Sequence, residues 1–136
     1  MVVMDERLCG HGAWFAYFVR RDPDHNSARN WVSTNESSLV TSDYILDELF
    51  TLLKIRESHI VAVAAGRVLI EENICQVIKL TPDDFTRAWS IFVQFSDKGW
   101  SFTDCTSKAI MERLSITTAF SFDEHFEQFG SIIRVP

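Results

Sequence analysis

Short apolar runs alternate with longer amphipathic stretches along the 136 residues. The runs Val2–Met4, Leu39–Thr41, Cys75–Leu80, Thr118–Phe122 and Ile132–Val135 are each predicted as a strand. Between them the spacing becomes helical. Ile45, Leu49, Leu52 and Leu53 recur on one face and predict a helix over Ser42–Arg56. Further helices are predicted over Gly12–Arg20, Asp24–Thr34, Ser58–Asn73, Thr81–Ser96 and Ser101–Leu114. Asp22-Pro23-Asp24 and Thr81-Pro82-Asp83-Asp84 read as helix starts, because proline suits a first turn. The alternation predicts an α/β fold: a three-layer α/β/α sandwich around a central, mostly parallel sheet of four to five short strands. Strands this apolar, without in-out alternation, are expected to be covered on both faces. Right-handed crossovers then bring every strand's C-terminal end to one edge, where such sheets bind ligands.

Composition narrows the picture. Only 5 Gly and 3 Pro occur, with no repeat or linker, so residues 1–136 are expected to form one domain. Apolar residues make up 46%, which excludes a disordered chain. The net charge of −6 excludes nucleic-acid binding through a broad basic surface. Three widely spaced cysteines (Cys9, Cys75 and Cys105) form neither a disulfide framework nor a zinc signature, and they fit a reducing compartment. Acids at positions 5 and 6 break any signal-peptide pattern, and the longest apolar run, Ile60–Ala65, is too short to span a bilayer. A cytoplasmic protein without a membrane partner is expected.

The chemistry lies in the carboxylates placed at the predicted edge. Asp5 follows the first apolar run, Glu48 lies in the helix after the second, Asp104 is in the first turn of the helix from Ser101, and Asp123 follows Thr118–Phe122. Asp97 precedes Gly99-Trp100-Ser101 and can reach the same edge. Acids that close cannot all ionise without a cation. An all-oxygen site suits Mg2+ or Mn2+ rather than zinc. One or two such ions, about 3.5–4 Å apart in two-metal sites, activate a water and stabilise the leaving oxygen of a phosphodiester.

Each acid also has a purely structural explanation. Glu48 sits at the inward edge of its helix and is either a ligand or half of an ion pair with an arginine. Asp47 falls on the solvent side. Ser101-Phe102-Thr103-Asp104 fits a capping box, with Trp100 and Cys105 placed as a hydrophobic staple. Asp123 is placed to cap a short helix over Glu124–Phe129. Cys9-Gly10-His11 offers two ligand types without a second pair. His25, His59 and His125 are scattered and read as structural or exposed. The Trp14, Phe15, Tyr17 and Phe18 cluster reads mostly as core, with a surplus face for a partner helix.

The C-terminal half is recognisable. Phe95-Ser96-Asp97-Lys98-Gly99-Trp100-Ser101-Phe102-Thr103-Asp104-Cys105, followed by Phe120-Ser121-Phe122-Asp123-Glu124-His125-Phe126, resembles the PIN domain in its VapC-like toxin branch. Val40 to Leu49 resembles the stretch carrying that family's helix glutamate, and Gly12 to Phe18 resembles its first helix. The resemblance implies an Mg2+- or Mn2+-dependent ribonuclease that cuts RNA by in-line attack of water. It implies Glu48, Asp104 and Asp123 as metal-site residues, Asp97 as an auxiliary acid, and Thr103 as a residue orienting Asp104 or the attacking water. It also implies a homodimer and a cognate antitoxin that fills the site.

The N-terminus departs from the pattern. The family places an Asp and then a small hydroxyl residue directly before its first helix. Counting back from Gly12-Ala13-Trp14 puts Gly10 and His11 at those positions. The apolar run Val2–Met4 points instead to Asp5 as the first acid, with Glu6 to Cys9 as added loop, because Asp5 to Cys9 is too polar for a buried parallel strand. Two other functions remain open. One is the same fold with a degraded site, acting as a binding module. The other is a receiver-type phosphoacceptor, whose acids would cluster earlier in the chain than these.

Overall fold

The computed structural model describes residues 5–130 and 132–136. Five strands form one sheet: β1 (Glu6–Cys9), β2 (Ser38–Ser42), β3 (Gln76–Ile78), β4 (Thr118–Phe120) and β5 (Ile133–Val135). Their order is β3-β2-β1-β4-β5, and every neighbouring pair is parallel. Consecutive residues of a strand point to opposite faces. Leu8 and Cys9, then Val40, Thr41 and Ser42, then Ala119 and Phe120, are all fully buried. Both faces of the sheet are therefore covered, giving the three-layer sandwich.

The covering helices are α1 (His11–Phe18), α2 (His25–Thr34), α3 (Asp43–Arg56), α4 (His59–Gly66), α5 (Pro82–Gln94) and α6 (Phe102–Leu114). Helix α4 runs on into a wider π-type turn over Arg67–Glu71 rather than continuing as α-helix to Asn73. Local chemistry explains the starts. Ser42 and Ser58 accept from the N–H of Ile45 and Val61, and Thr81 and Ser101 each complete a reciprocal capping box, with Asp84 and Asp104. No helix among the described residues is long and apolar enough to cross a membrane.

The first strand corrects the expectation. Val2–Met4 lies outside the described residues, and the strand beside β2 and β4 is Glu6–Cys9. Its polar half is tolerated because only Leu8 and Cys9 are fully buried. Arg7 sits over the Trp31 ring, 5.8 Å from its centroid, and bonds to Asp5 at 3.3 Å. A buried relay then ties the strand to its neighbours. Trp14 Nε1 donates to Thr41 Oγ1 at 3.3 Å, and Thr41 Oγ1 donates to the Cys9 carbonyl at 3.1 Å.

Candidate active site

The chain reverses its direction of travel across the sheet between β1 and β4, and the crevice of such a parallel sheet opens there. The Gly10 N–H donates to the Phe120 carbonyl at 3.2 Å, so the chain leaves β1 and β4 side by side at this edge. Three of the expected acids are carried here by different elements. Asp104 comes from the first turn of α6, Glu48 from the second turn of α3, and Asp123 from the turn after β4.

Asp104 is the most enclosed, with its side chain only 8% exposed. One oxygen, Oδ2, accepts the Ser101 N–H at 3.0 Å and faces His125 Nδ1 at 3.1 Å. The carboxylate thus caps its helix and faces the site at once. Asp123 is set by its own turn. Its N–H donates to Ser121 Oγ at 2.9 Å, and its Oδ1 accepts the His125 N–H at 2.9 Å. That leaves Oδ2 facing His125 Nδ1 at 3.3 Å. The following 3-10 turn, Glu124–Phe129, is pinned by Phe126 and Phe129 in the core, with Trp100 edge-on to Phe129 at 5.0 Å. Trp100 Nε1 also donates to Gln128 Oε1 at 2.9 Å. The aromatic packing therefore fixes where His125 points.

Glu48 meets no arginine. Its Oε2 lies 3.2 Å from His11 Nδ1, out of line for a hydrogen bond, and the atom is buried without a hydrogen-bond partner. A buried, unpartnered carboxylate oxygen is costly unless a cation or water completes it. Asp104, Asp123 and His125 each present a ligand atom, all within 4.8 Å of one another. This donor set fits a divalent cation, and Glu48 adds an unsatisfied oxygen at the same edge.

Other expected residues stand elsewhere. Asp5 is the correction of most consequence. It precedes β1, so it lies at the N-terminal edge, about 16 Å of parallel strand from Gly10. There it accepts from Ser37 Oγ at 2.7 Å, and that bond, opposed by slight burial and aided by Arg7, holds its carboxyl below the usual range. The residue that does leave β1 at the candidate site is Gly10. Asp97 is 77% exposed, 4.0 Å from Lys98 Nζ, and contributes no atom to the ligand cluster. Thr103 is half-buried in the first turn of α6 beside Asp104, and its carbonyl accepts from Thr106 Oγ1 at 2.6 Å. Among the basic residues, Lys108 is held by Glu112 at 2.6 Å, and Arg21 by Glu57.

The sequence reading offered His11 only as a ligand paired with Cys9 and read His125 as structural or exposed, whereas both stand at the candidate site. A signal for the second was present: a histidine two places after a strand-end aspartate shares its turn. Cys9 takes no part, since it is fully buried and its thiol is pushed up by that burial and then by Cys75. Beside the acids opens a cleft of about 490 Å3, lined by His11, Phe15, Leu52, Arg56, Phe122 and Asp123 among others.

Comparison with known proteins agrees with this architecture. The chain is 31% identical over 119 residues to the 23S rRNA-specific endonuclease VapC20 of Mycobacterium tuberculosis, in strains CDC 1551 and H37Rv, covering 88% of this chain and 90% of that protein. The crystal structure of M. tuberculosis VapC20, a Sarcin-Ricin loop cleaving toxin, superposes with a TM-score of 0.86 at 30% identity, over 90% of this chain and 94% of that one. VapBC2 from Rickettsia felis, bound to a DNA fragment from its promoter, shares the fold with a TM-score of 0.68 at 10% identity, over 96% and 97% of the two chains. The PIN domain model matches residues 12–131. The chain belongs to the PIN domain family.

Proposed function

We propose that this protein is a divalent-cation-dependent endoribonuclease, the toxin of a toxin–antitoxin pair, built as one PIN-like unit across residues 1–136. The observation that carries this reading is the cluster of Asp104, Asp123 and His125 at the crevice between β1 and β4, with the unpartnered Glu48 oxygen facing His11 at the same sheet edge. The VapC20 relative, named for cleaving 23S rRNA, gives ribosomal RNA as the first substrate to test.

Asp104, Asp123 and Glu48 would hold the cation, Mg2+ or Mn2+, with Asp97 outside the inner ligand set. When bound, the cation supplies charge neutralisation at the phosphodiester and lowers the pKa of water. The protein's own groups do the rest. Asp104 and Asp123 are aimed before substrate arrives, by the capping box at Ser101 and the turn at Ser121. Glu48 Oε2, buried without a hydrogen-bond partner, is left to complete the cation's shell directly or through a bound water. Thr103 stands beside Asp104, where its hydroxyl can steady that carboxylate or the water. Asp5 takes no part.

The adjacent cleft suits a single RNA strand. Phe15 and Phe122 offer apolar surface for bases, and the Arg56 guanidinium, 5.9 Å from the Phe15 ring centroid, reaches toward phosphate. This holds RNA without a broad basic face, in keeping with the net charge of −6. Phe85, Trp89, Phe92 and Val93 stand half-exposed along α5, an apolar face assigned to the second copy of a homodimer. The antitoxin would block the site cleft.

A second reading is favoured by one observation: glycine stands where the family carries its first acid. On that reading the protein is a catalytically degraded PIN-like binding module. Cleavage of a ribosomal RNA fragment with and without Mg2+ or Mn2+ separates the two. Metal-dependent cleavage lost in Asp104→Asn supports the nuclease. No cleavage by the wild type under any divalent ion, or equal cleavage by the variant, supports the binding module.

A further inference from the structure

The acids are not the whole donor set, and the exception decides which ion fits. His125 Nδ1 stands 3.1 Å from Asp104 Oδ2 and 3.3 Å from Asp123 Oδ2, so it points into the gap between the two carboxylates. That orientation is built. The His125 N–H is bonded to Asp123 Oδ1, and its neighbour Phe126 is buried in the core.

The opposite wall is altered as well. A Cβ on Gly10 would stand 3.2 Å from Phe126 Cε2 and 3.3 Å from Phe126 Cζ, closer than ordinary contact. The Phe126 ring therefore crowds the first atom of any side chain placed at position 10. Glu48 Oε2, meanwhile, already faces His11 Nδ1. The site thus lacks the first acid of the family pattern and carries an inward imidazole, His125.

We propose that the centre binds a single divalent ion through mixed nitrogen and oxygen ligands, His125 Nδ1 with Asp104 and Asp123, and so prefers Mn2+, Co2+ or Zn2+ to Mg2+. This rests on the metal-site reading above and adds the ligand type and the stoichiometry. Mg2+ favours oxygen-only octahedra and gives up its waters reluctantly, whereas imidazole nitrogen suits the later first-row ions. Fewer carboxylates leave less negative charge to hold a second cation.

The test is titration calorimetry of the metal-free protein with Mg2+ and with Mn2+, joined to electron spin-echo envelope modulation of the Mn2+-loaded protein. The expected result is one Mn2+ per chain, bound at least about tenfold more tightly than Mg2+. Modulation from a directly coordinated 14N nucleus is expected as well. His125→Asn should remove that modulation and bring the Mn2+ and Mg2+ affinities together, while His11→Asn keeps both features. The wild-type spectrum stands even if a variant fails to fold. Mn2+ bound without 14N modulation, modulation that survives in His125→Asn, or two equivalent ions would overturn this inference and leave the metal site intact. Absence of binding by either ion would overturn both.

Discussion

Arg113, in the last turn of α6, grips Asp84, in the first turn of α5, with two bonds of 2.8 Å and 2.9 Å. Asp84 is almost fully buried and closes the Thr81 capping box, so one carboxylate starts α5 and anchors α6. Burial alone would raise its carboxyl, but the bonds from Arg113 and Thr81 outweigh this and hold it below the usual range.

Arg113→Met is therefore expected to strand a buried charge. The guanidinium is partly exposed, so the cost falls near the low end for such pairs, about 2–3 kcal/mol at pH 7. The sign with pH follows from the lowered carboxyl. A group with a depressed folded pKa stabilises above its unfolded value, near 3.9, and that contribution is lost as pH falls through the folded value. Urea midpoints of wild type and variant should differ at pH 7, and the gap should narrow progressively as pH falls below the unfolded carboxyl value of about 3.9. A constant difference across that range would count against the pair.

Asp5 and Glu48 make a contrasting pair for activity. Asp5→Asn changes an exposed carboxylate at the far edge of the sheet and should leave RNA cleavage within about twofold of wild type. Glu48→Gln keeps the shape but removes the unpartnered charge, and should lower the rate by about 100-fold or more. Steady-state rates at saturating divalent ion decide it; the reverse ranking would return the first acid to Asp5.

Trp14→Phe tests the buried relay. The indole is fully enclosed, and its loss leaves Thr41 Oγ1 without one donor while opening space against the sheet. About 1–3 kcal/mol should be lost in denaturant unfolding. Far-UV dichroism should be unchanged, since α1 keeps its backbone bonds.

The thiols should be slow. Burial pushes Cys75 up to about 11, and burial together with the Asp104 charge pushes Cys105 up to about 11. At pH 8 roughly one thiol in a thousand is then ionised. Iodoacetamide should label the native protein poorly at pH 8 and label it readily in denaturant. Fast native labelling at that pH would show a different environment around these residues.

Much of the candidate site's placement was legible because its causes are local. Ser101 and Asp104 lie three apart, so the capping box that starts α6 also places the acid. Asp123 follows directly from the turn after β4. Glu48 was marked by its position on the stripe of Ile45, Leu49 and Leu52. The alternation of short apolar runs and amphipathic stretches was enough for a parallel α/β sheet, since period depends only on neighbours along the chain.

The start of the sheet could not be read that way. Arg7 is acceptable in β1 only because Trp31 and Asp5 meet it in space, so a polar segment became a strand and Asp5 moved to the wrong edge. The two histidines were hidden for the same reason. His125 faces Asp104 across 21 residues, and His11 faces Glu48 from a different helix. Chain-local rules carry the elements and their order. Which donors share a site depends on contacts between residues far apart in sequence, and only the packed sheet edge brings those contacts about.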